Sequence, residues 1–474
     1  MSNPLPTAVA CELRTCLSQP ERLLLGADDC LAYSYDNSKR SVLPQAVALC
    51  VHADEVAALL RVCHAWQIPV TARGRGTNTT GASVPLEGGL VISLERMQRI
   101  VEINTADRYA VVEPGVLNGD LQAALKPLGF FWPPDPTSAP FSSIGGNLAC
   151  NAGGPRAVKY GACRDNTLAV QAVDGRGEPF SCGSLTSKHS VGYDLTRFLV
   201  GSEGTLGIIT QATLKLVPLP VAKRALRLLY ARIDDAAAAV ARIMAQPVTP
   251  CALEFIDREA LALVRERGVD LPAGDALLLV EVDAEASALD AACKAALNAA
   301  EGLGLVDVLV AHDATQTETL WAARKALSPA LRRLAPKKIN EDVVVPVSRL
   351  PELMAGVDAL ASEWRIRIVN FGHAGNGNIH VNLLIDPSDP VAAHAAEHCL
   401  EALFDLVIRL RGTLSGEHGI GLAKRDFMPR ATDAHTLDLM RAIKAVFDPK
   451  GILNPGKLLP KPLAPRVYSE LATS

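Results

Sequence analysis

The sequence lacks several features that would point to a specialised environment or ligand. Its 47 Lys and Arg nearly balance 51 Asp and Glu, so no basic surface for nucleic acid is indicated. The 11 cysteines are scattered without a CxxC pair, which argues against a disulfide framework or a cysteine zinc site and fits a reducing cytoplasm. Neither a signal-like N-terminus nor a long uncharged apolar run is present, so we expect a cytoplasmic chain without a transmembrane helix, with peripheral membrane contact left open.

Two familiar nucleotide-binding fingerprints are also missing. No Gly-Lys-Ser/Thr follows the glycine-rich loops, which excludes a Walker A motif, and no correctly spaced glycine triplet opens a helix as in NAD-binding domains. The composition, 49% hydrophobic and 21% charged, is that of an ordinary globular enzyme. At ~150 residues per domain, 474 residues suggest about three folding units or two large ones.

The stretch Arg73–Gly81, here called the first glycine loop, is the first candidate binding element. It contains three glycines, two arginines and four small polar residues, and an apolar run, Leu90–Ile92, follows it. Successive backbone N–H groups in such a turn can bind an anion without a helix dipole, and the local pattern is strand, loop, turn, strand. The stretch predicts a phosphate cradle or, alternatively, an ordinary glycine-rich surface turn.

Further loops of glycine and small polar residues follow in the same α/β unit. They are Pro134–Thr137, Ser142–Asn147, Asn151–Gly154 and Gly201–Thr210. Together they predict a long groove lined by backbone donors and acceptors, which would suit a large, mostly planar ligand with several phosphates.

The remaining pattern predicts helices and strands around these loops. We expect a helix over Glu12–Leu25 near the start of the chain. After a boundary near Val221, short strands and helices alternate, which is typical of a ferredoxin-like α+β layer. Thr315–Glu318 has the pattern of a capping box and predicts the start of a helix that carries Arg324.

The segment Phe371–Asn382 carries the sharpest chemical signal. His373 and His380 are seven residues apart, so on one strand they would face opposite sides, and only a loop that folds back would bring both rings to one ion. A second cluster holds Glu417 and His418 among glycines. Two imidazoles and one carboxylate form a common metal-ligand set with open positions, although such residues can also be satisfied polar groups in tight turns.

These motifs, in this order, resemble the vanillyl-alcohol oxidase superfamily, with its PCMH-type FAD-binding fold. Within it the chain is similar to the FAD-linked D-2-hydroxyacid dehydrogenases, the group of the glycolate oxidase D subunit, D-lactate dehydrogenase and D-2-hydroxyglutarate dehydrogenase. The resemblance covers about Leu43 to Pro460. It implies an α+β fold with four parts: a helical lead (1–42), a two-part FAD-binding domain (43–220), a ferredoxin-like substrate and metal-binding cap (221–440), and a C-terminal segment that returns to the FAD domain (441–474).

The resemblance also implies which residues line the FAD groove. Some members attach the flavin covalently through a His or Cys; the first glycine loop contains neither, so we expect non-covalent FAD. The cofactor-binding residues would be Arg73, Gly74, Arg75, Gly76, Thr77, Asn78, Gly81, Pro134, Gly145, Gly146, Asn147, Gly153, Gly204, Ile208 and Asn454.

The catalytic assignments follow from the same resemblance. The divalent-metal ligands are matched by His373, His380 and Glu417, with Zn²⁺ expected and Mn²⁺, Fe²⁺ or Co²⁺ as alternatives. His418 matches the catalytic base, and Arg324 matches an arginine that binds the substrate carboxylate. Asn382, on the same strand face as His380, would hydrogen-bond the substrate.

The implied reaction is oxidation of a D-2-hydroxy acid, of the D-lactate or glycolate type, to the 2-oxo acid by hydride transfer to flavin N5. The metal would polarise the substrate hydroxyl. D-2-hydroxyglutarate is an alternative substrate. Lys337 and Lys338 lie near, but not clearly at, the position of a further substrate lysine, and this misfit argues against a contact with its second carboxylate. Quinone, cytochrome and electron-transfer flavoprotein all remain open as electron acceptors, and a homodimer or partner subunits are possible.

Three competing functions are weaker. A superfamily flavin oxidase acting on a different alcohol would not need the His-His-Glu set or Arg324. A non-catalytic FAD-binding partner subunit should lack the metal set, which is present here. A metal-dependent hydrolase would contain no flavin.

Overall fold

The computed structural model describes residues 4–266, 268–269, 271–331 and 334–461, and it begins with a small sheet. The elements of this part are α1 (Thr7–Thr15), β1 (Leu23–Leu24), α2 (Ala27–Cys30), β2 (Ala46–Leu49), α3 (Ala53–Trp66), β3 (Val70–Arg73) and β4 (Leu90–Ser93). The strand order is β1-β2-β4-β3, with parallel pairing of β4 to both β2 and β3. The first glycine loop therefore leaves the sheet at the end of β3.

A second, antiparallel sheet follows and carries the other glycine-rich loops between its strands. Its order is β5-β6-β10-β8-β9, and β7 pairs separately with β11. The elements are β5 (Ile100–Asn104), β6 (Tyr109–Val112), α4 (Asn118–Leu125), β7 (Phe130–Phe131), α5 (Ile144–Cys150), α6 (Ala157–Tyr160), β8 (Thr167–Val173), β9 (Pro179–Gly183), α7 (Leu195–Leu199), β10 (Ile208–Lys215) and β11 (Val217–Pro218).

The third part is a seven-stranded antiparallel sheet with helices on both faces. Its order is β15-β12-β14-β13-β17-β18-β16. The elements are β12 (Ala222–Tyr230), α8 (Ile233–Ala245), β13 (Ala252–Ile256), α9 (Arg258–Glu266), β14 (Ala276–Ala284), α10 (Leu289–Ala300), β15 (Leu305–Val310), α11 (Ala314–Leu331), β16 (Lys337–Val344), α12 (Leu350–Trp364), β17 (Arg367–Gly372), β18 (Asn378–Ile385), α13 (Pro390–Arg409), α14 (Met428–Ala431) and α15 (Ala434–Phe447).

The seven-stranded sheet contains one complete and one incomplete ferredoxin-like unit. In the first unit, β12-α8-β13-β14-α10-β15, the strands lie in the order fourth, first, third, second. The second unit, β16-α12-β17-β18-α13, repeats the same arrangement up to its second helix. Where its fourth strand would pair with β16, a single bridge joins Val344 and Thr413. The chain then turns away from the sheet edge into the segment Ser415–His418.

The two faces of this sheet differ in what they bury. One face packs against α8, α10, α12 and α13 in a large apolar core. The opposite face has a smaller apolar cluster under α9 and α11. Next to that cluster the strands place polar side chains on the same face, and those side chains form the site described below.

The structure confirms the predicted α+β class with a ferredoxin-like cap. Two local expectations were wrong. The helix expected over Glu12–Leu25 ends at Thr15, because the following residues turn at Pro20 and enter the first sheet as β1. The capping box expected at Thr315–Glu318 is replaced by Asp313, whose Oδ1 accepts from the Gln316 N–H at 2.8 Å.

The C-terminal part of the described chain returns to the first sheet. The Val70 N–H donates to the Ile452 carbonyl (2.8 Å), and the Asn454 N–H donates to the Val70 carbonyl (2.7 Å). Leu453 is buried in the core under that sheet. Among the described residues, no helix is both long and apolar enough to cross a bilayer.

Gly377, in the tight turn between β17 and β18, provides a test of how this hairpin is held. Its φ is +72°, and a Cβ there would overlap the carbonyl oxygen of Val345. We expect Gly377→Ala to lower the free energy of unfolding, measured with urea, by clearly more than the ~1–2 kcal/mol of left-handed backbone strain alone.

Gly129→Ala is the matched control for this prediction. Gly129 also has a positive φ (+79°), but a Cβ there meets no described atom within 4 Å. Equal losses in the two variants would mean that the Val345 carbonyl moves aside at little cost and does not constrain the turn.

Candidate active site

The β17–β18 hairpin brings the two predicted histidines together. A short turn, Ala374–Asn376, lets the chain fold back, so the rings of His373 and His380 lie 5.2 Å apart between centroids. Both Nε2 atoms point to the same carboxylate oxygen, Glu417 Oε1, at 3.2 Å from His373 and 3.7 Å from His380. The seven-residue spacing thus serves one site, because a turn interrupts the strand.

His418 completes the cluster from the segment Ser415–His418. Its ring stacks on that of His380, with centroids 5.3 Å apart and an interplanar angle of 12°. Its Nε2 lies 4.0 Å from Glu417 Oε1. The predicted base and the predicted metal ligands therefore occupy one compact, largely buried cluster.

The donor set fits a divalent metal. One ligand atom from each of His373, His380 and Glu417 lies within 4.8 Å of the others, as ligands of one tetrahedral or octahedral ion must. In addition, the buried Nδ1 atoms of His380 and His418 have no hydrogen-bond partner among the described residues. Two imidazoles and one carboxylate leave coordination positions open for a substrate.

The electrostatics of this cluster are strongly coupled. Burial lowers the pKa of His373, but the charges of Glu254 and Glu417 outweigh it and raise that pKa to about 10. Burial and the neighbouring His373 lower the pKa of His380 to about 3. Burial opposes ionisation of Glu417, yet His373 brings its pKa down to about 2. Without an ion, a proton on His373 balances these carboxylates, and metal binding has to displace that proton.

Glu254, on β13, was missed by sequence reasoning. It contacts both a predicted metal ligand, His373, and the predicted carboxylate-binding residue, Arg324. Its fully buried carboxylate bonds His373 Nδ1 through Oε1 (2.5 Å) and accepts from Arg324 Nε through Oε2 (2.7 Å). A carboxylate on Nδ1 turns the other ring nitrogen of a histidine toward a metal. The Arg324 guanidinium also lies over the Phe371 ring, 4.6 Å from its centroid.

Asp342, on β16, is the second carboxylate that sequence reasoning missed. Its Oδ2 accepts from the backbone N–H groups of Gly416 (2.9 Å), Glu417 (2.7 Å) and His418 (2.9 Å). Burial opposes ionisation, but the neighbouring His418, Lys424 and His380 and the backbone N–H donors hold the pKa of Asp342 well below its usual range. A charged residue inside an otherwise apolar strand was the available signal for Glu254, whereas Asp342 lies in a strand with three other charged residues and gave no such signal.

Asn382 lies on β18 two residues after His380. Its Nδ2 donates to the carbonyls of Val369 and His380, both at 2.9 Å. Its buried Oδ1 has no partner among the described residues. The side chain therefore has one acceptor left for a ligand.

The two arginines of the first glycine loop are already engaged by the protein. Arg73 is buried and donates to the carbonyls of Tyr35 (2.7 Å) and Ala32 (3.2 Å). Arg75 lies 3.5 Å from the Glu95 carboxylate. An anion held by this loop would therefore be bound mainly by backbone N–H groups, including those of Gly74, Gly76 and the half-buried Thr77.

Asn78 fixes the end of the first glycine loop by hydrogen bonds and connects it to the segment Ser415–His418. Its Oδ1 accepts from the N–H groups of Thr80 (2.8 Å) and Ala82 (3.1 Å), and its Nδ2 donates to the His418 carbonyl (3.0 Å). Gly81 has φ +85° and faces the Leu422 side chain, so the turn approaches the catalytic part without a side chain of its own.

The second group of predicted cofactor residues is not a loop throughout. Gly145, Gly146 and Asn147 form the first turns of α5, capped by Ser143, whose Oγ accepts from the Gly146 N–H at 3.4 Å. A Cβ at Gly74 would overlap that same Oγ. Gly74 is therefore required because its backbone lies close to the start of α5, and not because of a special backbone conformation. Beside this turn, the Pro134 carbonyl accepts from Asn118 Nδ2 at 3.0 Å.

Gly153 lies where the glycine-rich loops meet the catalytic cluster. A Cβ there would stand 3.0 Å from Glu417 Oε2. Nearby, the Glu203 carboxylate accepts from the N–H groups of Ile420 (2.6 Å) and Gly421 (2.8 Å), next to Gly204. The predicted cofactor loops and the predicted catalytic segment are thus in direct contact.

Two predicted cofactor residues use their side chains within the protein. Ile208 packs in the apolar core under the first sheet. Asn454 donates from Nδ2 to the carbonyls of Ala82 (2.8 Å) and Glu203 (2.6 Å), and its Oδ1 accepts from Lys457. Any contact that these two residues make with a cofactor would come from the backbone.

A thiol that sequence reasoning missed lies beside the first glycine loop. Cys150 Sγ is 3.3 Å from Asn78 Nδ2. Burial raises the pKa of this thiol to about 12, so it is neutral at physiological pH and a poor nucleophile.

Two known protein families match successive parts of this chain. Residues 44–183 match the family described as FAD binding domain, and residues 219–458 match FAD linked oxidases, C-terminal domain. The chain belongs to the FAD-linked oxidases. The glycine-rich loops of this oxidase between Arg73 and Gly154 therefore belong to an FAD-binding domain, and the predicted family resemblance is confirmed.

Curated relatives align over almost the whole of this FAD-linked oxidase. The glycolate oxidase subunit GlcD of Bacillus subtilis (strain 168) is 38% identical over 93% of this chain and 94% of its own length. The D-lactate dehydrogenase of Anaerostipes hadrus is 33% identical over 93% and 95%. The D-2-hydroxyglutarate dehydrogenase of Stutzerimonas stutzeri (strain A1501) is 33% identical over 94% and 98%.

Solved structures share the fold at much lower identity. p-Cresol methylhydroxylase superposes with a TM-score of 0.79 at 16% identity, covering 95% of this chain and 96% of that protein. Alkyldihydroxyacetonephosphate synthase gives a TM-score of 0.75 at 19% identity, covering 97% and 87%. The two-part PCMH-type FAD-binding fold with a cap is thereby confirmed.

Removal of the Glu254 charge should destabilise this oxidase. We expect Glu254→Gln to lower the free energy of unfolding by about 3–5 kcal/mol, because the buried Arg324 guanidinium loses its carboxylate. Urea denaturation followed by intrinsic fluorescence measures this loss.

Glu281→Gln is the matched control on the same face of the sheet. Glu281 is also buried, but its cationic partner Lys223 (3.2 Å) is half-exposed and can turn into solvent. A Glu254→Gln loss no larger than that of Glu281→Gln would contradict the buried-pair account.

Proposed function

We propose that this FAD-linked oxidase converts a D-2-hydroxy acid of the D-lactate or glycolate type into the 2-oxo acid. The observation that carries the proposal is the cluster of His373, His380, Glu417 and His418 in direct contact with the FAD-binding loops. The names of the aligned relatives, which are proteins of glycolate, D-lactate and D-2-hydroxyglutarate oxidation, support the same substrate class. Bound FAD supplies a hydride acceptor at N5 for the C2 hydrogen of the substrate.

His373, His380 and Glu417 would hold a divalent metal, with Zn²⁺ first and Mn²⁺, Fe²⁺ or Co²⁺ as alternatives. Such an ion supplies Lewis acidity that lowers the pKa of a substrate hydroxyl. Glu254 fixes the orientation of His373 from behind. His418, stacked on His380, would take the hydroxyl proton, because imidazole is the side chain suited to that task near neutral pH.

Arg324 would bind the substrate carboxylate. Its Nε is committed to Glu254, which leaves the remaining N–H donors of the guanidinium fork for a ligand. Asn382, whose Oδ1 has no partner among the described residues, would hydrogen-bond the substrate. Both assignments place the substrate between α11 and β18.

A D-2-hydroxyglutarate dehydrogenase is the second candidate, supported by the Stutzerimonas relative. Its substrate carries a second carboxylate and would need a second cation. Lys337, at the start of β16, is exposed and lies at the end of the strand away from Asp342. Lys337 is therefore not suited to that role, which leaves the half-buried Lys338 as the candidate second cation.

We further propose that the FAD is bound non-covalently and that electrons leave to a quinone, a cytochrome or an electron-transfer flavoprotein. The relatives named as glycolate oxidase subunits support an assembly with partner subunits, and a homodimer is the alternative. A cytoplasmic position, peripheral to the inner membrane, would suit a membrane acceptor.

A substrate panel tests the proposed function. With an artificial dye as acceptor, we expect turnover with D-lactate or glycolate, and much less with L-lactate, D-malate, D-mandelate or D-2-hydroxyglutarate. His418→Ala should reduce kcat by a factor on the order of 10²–10⁴ without changing the flavin spectrum, because only the base is lost.

Flavin content provides the control for that experiment. Acid precipitation should release the flavin into the supernatant from the wild type and from His418→Ala alike. Turnover with none of these acids would refute the proposed function, and near-normal rates in His418→Ala would refute the base.

Metal removal is a separate test. We expect EDTA treatment followed by desalting to abolish turnover while flavin absorbance stays, because the three ligands hold the ion and not the cofactor. Zn²⁺, Mn²⁺ or Co²⁺ should restore activity. Full activity in a preparation found metal-free by elemental analysis would eliminate the metal from the mechanism.

A further inference from the structure

We propose that Asp342 is the positioning residue of the active site. It fixes the segment Ser415–His418 so that the ligand Glu417 and the base His418 are presented together. This inference rests on the function proposed above and assigns a role to a strand residue outside the predicted ligand and base set.

The hydrogen bonds of Asp342 carry the inference. Its Oδ2 accepts from three consecutive backbone N–H groups, those of Gly416, Glu417 and His418, and from Ser415 Oγ at 3.2 Å. Its Oδ1 accepts from Asn378 Nδ2 at 2.6 Å. The side chain is fully buried, so these contacts are made at low dielectric, where each is stronger than in water.

No other side chain of the described residues accepts from the backbone N–H groups of this segment; its further contacts are the Gly416 N–H to the Asp342 backbone carbonyl (3.1 Å), the Asn78 side chain on the His418 carbonyl (3.0 Å) and the Glu417 carboxylate near His373 (3.2 Å). The segment follows the single bridge between Thr413 and Val344, where the second ferredoxin-like unit lacks its fourth strand. Successive N–H groups of such a turn form an anion-binding concavity, and here the anion is a side chain of the same protein. The carboxylate therefore replaces the missing strand as the partner of this backbone.

Asp342 also faces both histidines whose Nδ1 atoms have no hydrogen-bond partner among the described residues. Its carboxylate lies 3.7 Å from His380 Nδ1 and 3.9 Å from His418 Nδ1. One carboxylate thus stands behind a predicted ligand and the predicted base. Small rotations of either ring would turn these approaches into hydrogen bonds of the kind that orient metal-bound and catalytic imidazoles.

A direct role as metal ligand is the competing interpretation. Asp342, His380 and His418 do place one ligand atom each within 4.8 Å of one another. However, both oxygens of Asp342 are already occupied by five donors in all. Oδ2, with four of these donors, is better suited to shaping the backbone than to binding an ion, and Oδ1, with one, keeps room for a histidine N–H.

Asp342→Asn tests the proposal, because it replaces an acceptor oxygen with an amide of the same shape. We expect kcat to fall about 100-fold, as for a misplacement of about 1 Å, with KM changed less than about threefold and flavin content unchanged. Affinity for Zn²⁺ or Mn²⁺ should fall by about 10- to 100-fold. Amide hydrogen exchange at residues 416–418 should become at least about tenfold faster, since a neutral amide oxygen is a weaker acceptor for these N–H groups than the charged carboxylate and the NH2 group would face the Asn378 Nδ2 donor.

Asp257→Asn is the matched control. Asp257 is buried at the end of β13 in the same sheet and accepts from Ala260 N–H (2.8 Å), Asn370 N–H (2.7 Å) and Asn370 Nδ2 (2.9 Å). It should lose comparable stability while exchange at 416–418 and kcat stay within about threefold of the wild type. Equal effects of the two variants on kcat and exchange would reduce Asp342 to general stability and overturn the proposal.

Ser415→Ala keeps the test decisive if Asp342→Asn does not fold. It removes one of the four donors to Oδ2 and should lower kcat by roughly threefold to tenfold, the weight of one hydrogen bond, with faster exchange at 416–418. Unchanged kcat and exchange in this variant would count against the proposal. Two metal ions per wild-type chain, falling to one in Asp342→Asn, would identify a ligand and overturn the positioning role. If the wild type oxidises no 2-hydroxy acid, the proposed function fails, whereas exchange and metal affinity still decide the role of Asp342.

Discussion

The active site depends on how three buried carboxylates are neutralised. Glu254, Asp342 and Glu417 all lie on or against one face of the seven-stranded sheet, where an unpaired charge would cost several kcal/mol. Each carboxylate is balanced by different partners. Glu254 contacts an arginine and a histidine, Asp342 accepts from a row of backbone N–H groups, and Glu417 lies near two histidines. These contacts hold the β17–β18 hairpin and the segment Ser415–His418 in their conformations.

Sequence alone revealed the parts of the site whose signal is local. Glycine-rich loops and the His-Gly-Asn hairpin carry their chemistry in consecutive residues, so both could be found without a structure. Glu254 and Asp342 could not be found in the same way, because Glu254 is a single charge in a short apolar strand and Asp342 is one of four charges in another, and nothing local marks either as part of a site. Their meaning comes from partners far along the chain; His373 is 119 positions from Glu254.

The same reasoning explains the local errors of fold prediction. The helical spacing of Glu12–Leu25 includes Leu23 and Leu24, which pair with β2 as the strand β1. This tertiary pairing outweighs the weak helical tendency of the segment. At α11 the residue pattern predicted a capping box that starts at Thr315. In the structure, Asp313, two positions earlier, caps the helix by accepting a hydrogen bond from the Gln316 N–H in the first turn. The order of sheet strands, which produces one and a half ferredoxin-like units, follows from long-range pairing that no single window contains.

The bond from Asn78 to the His418 carbonyl joins residues 340 positions apart. Contacts of such separation close late, because the entropy of ordering the intervening chain must first be offset by other packing. Both ends of this bond must be folded before it can form, so the backbone at His418 reaches its final position only when two distant parts of the sequence have come together.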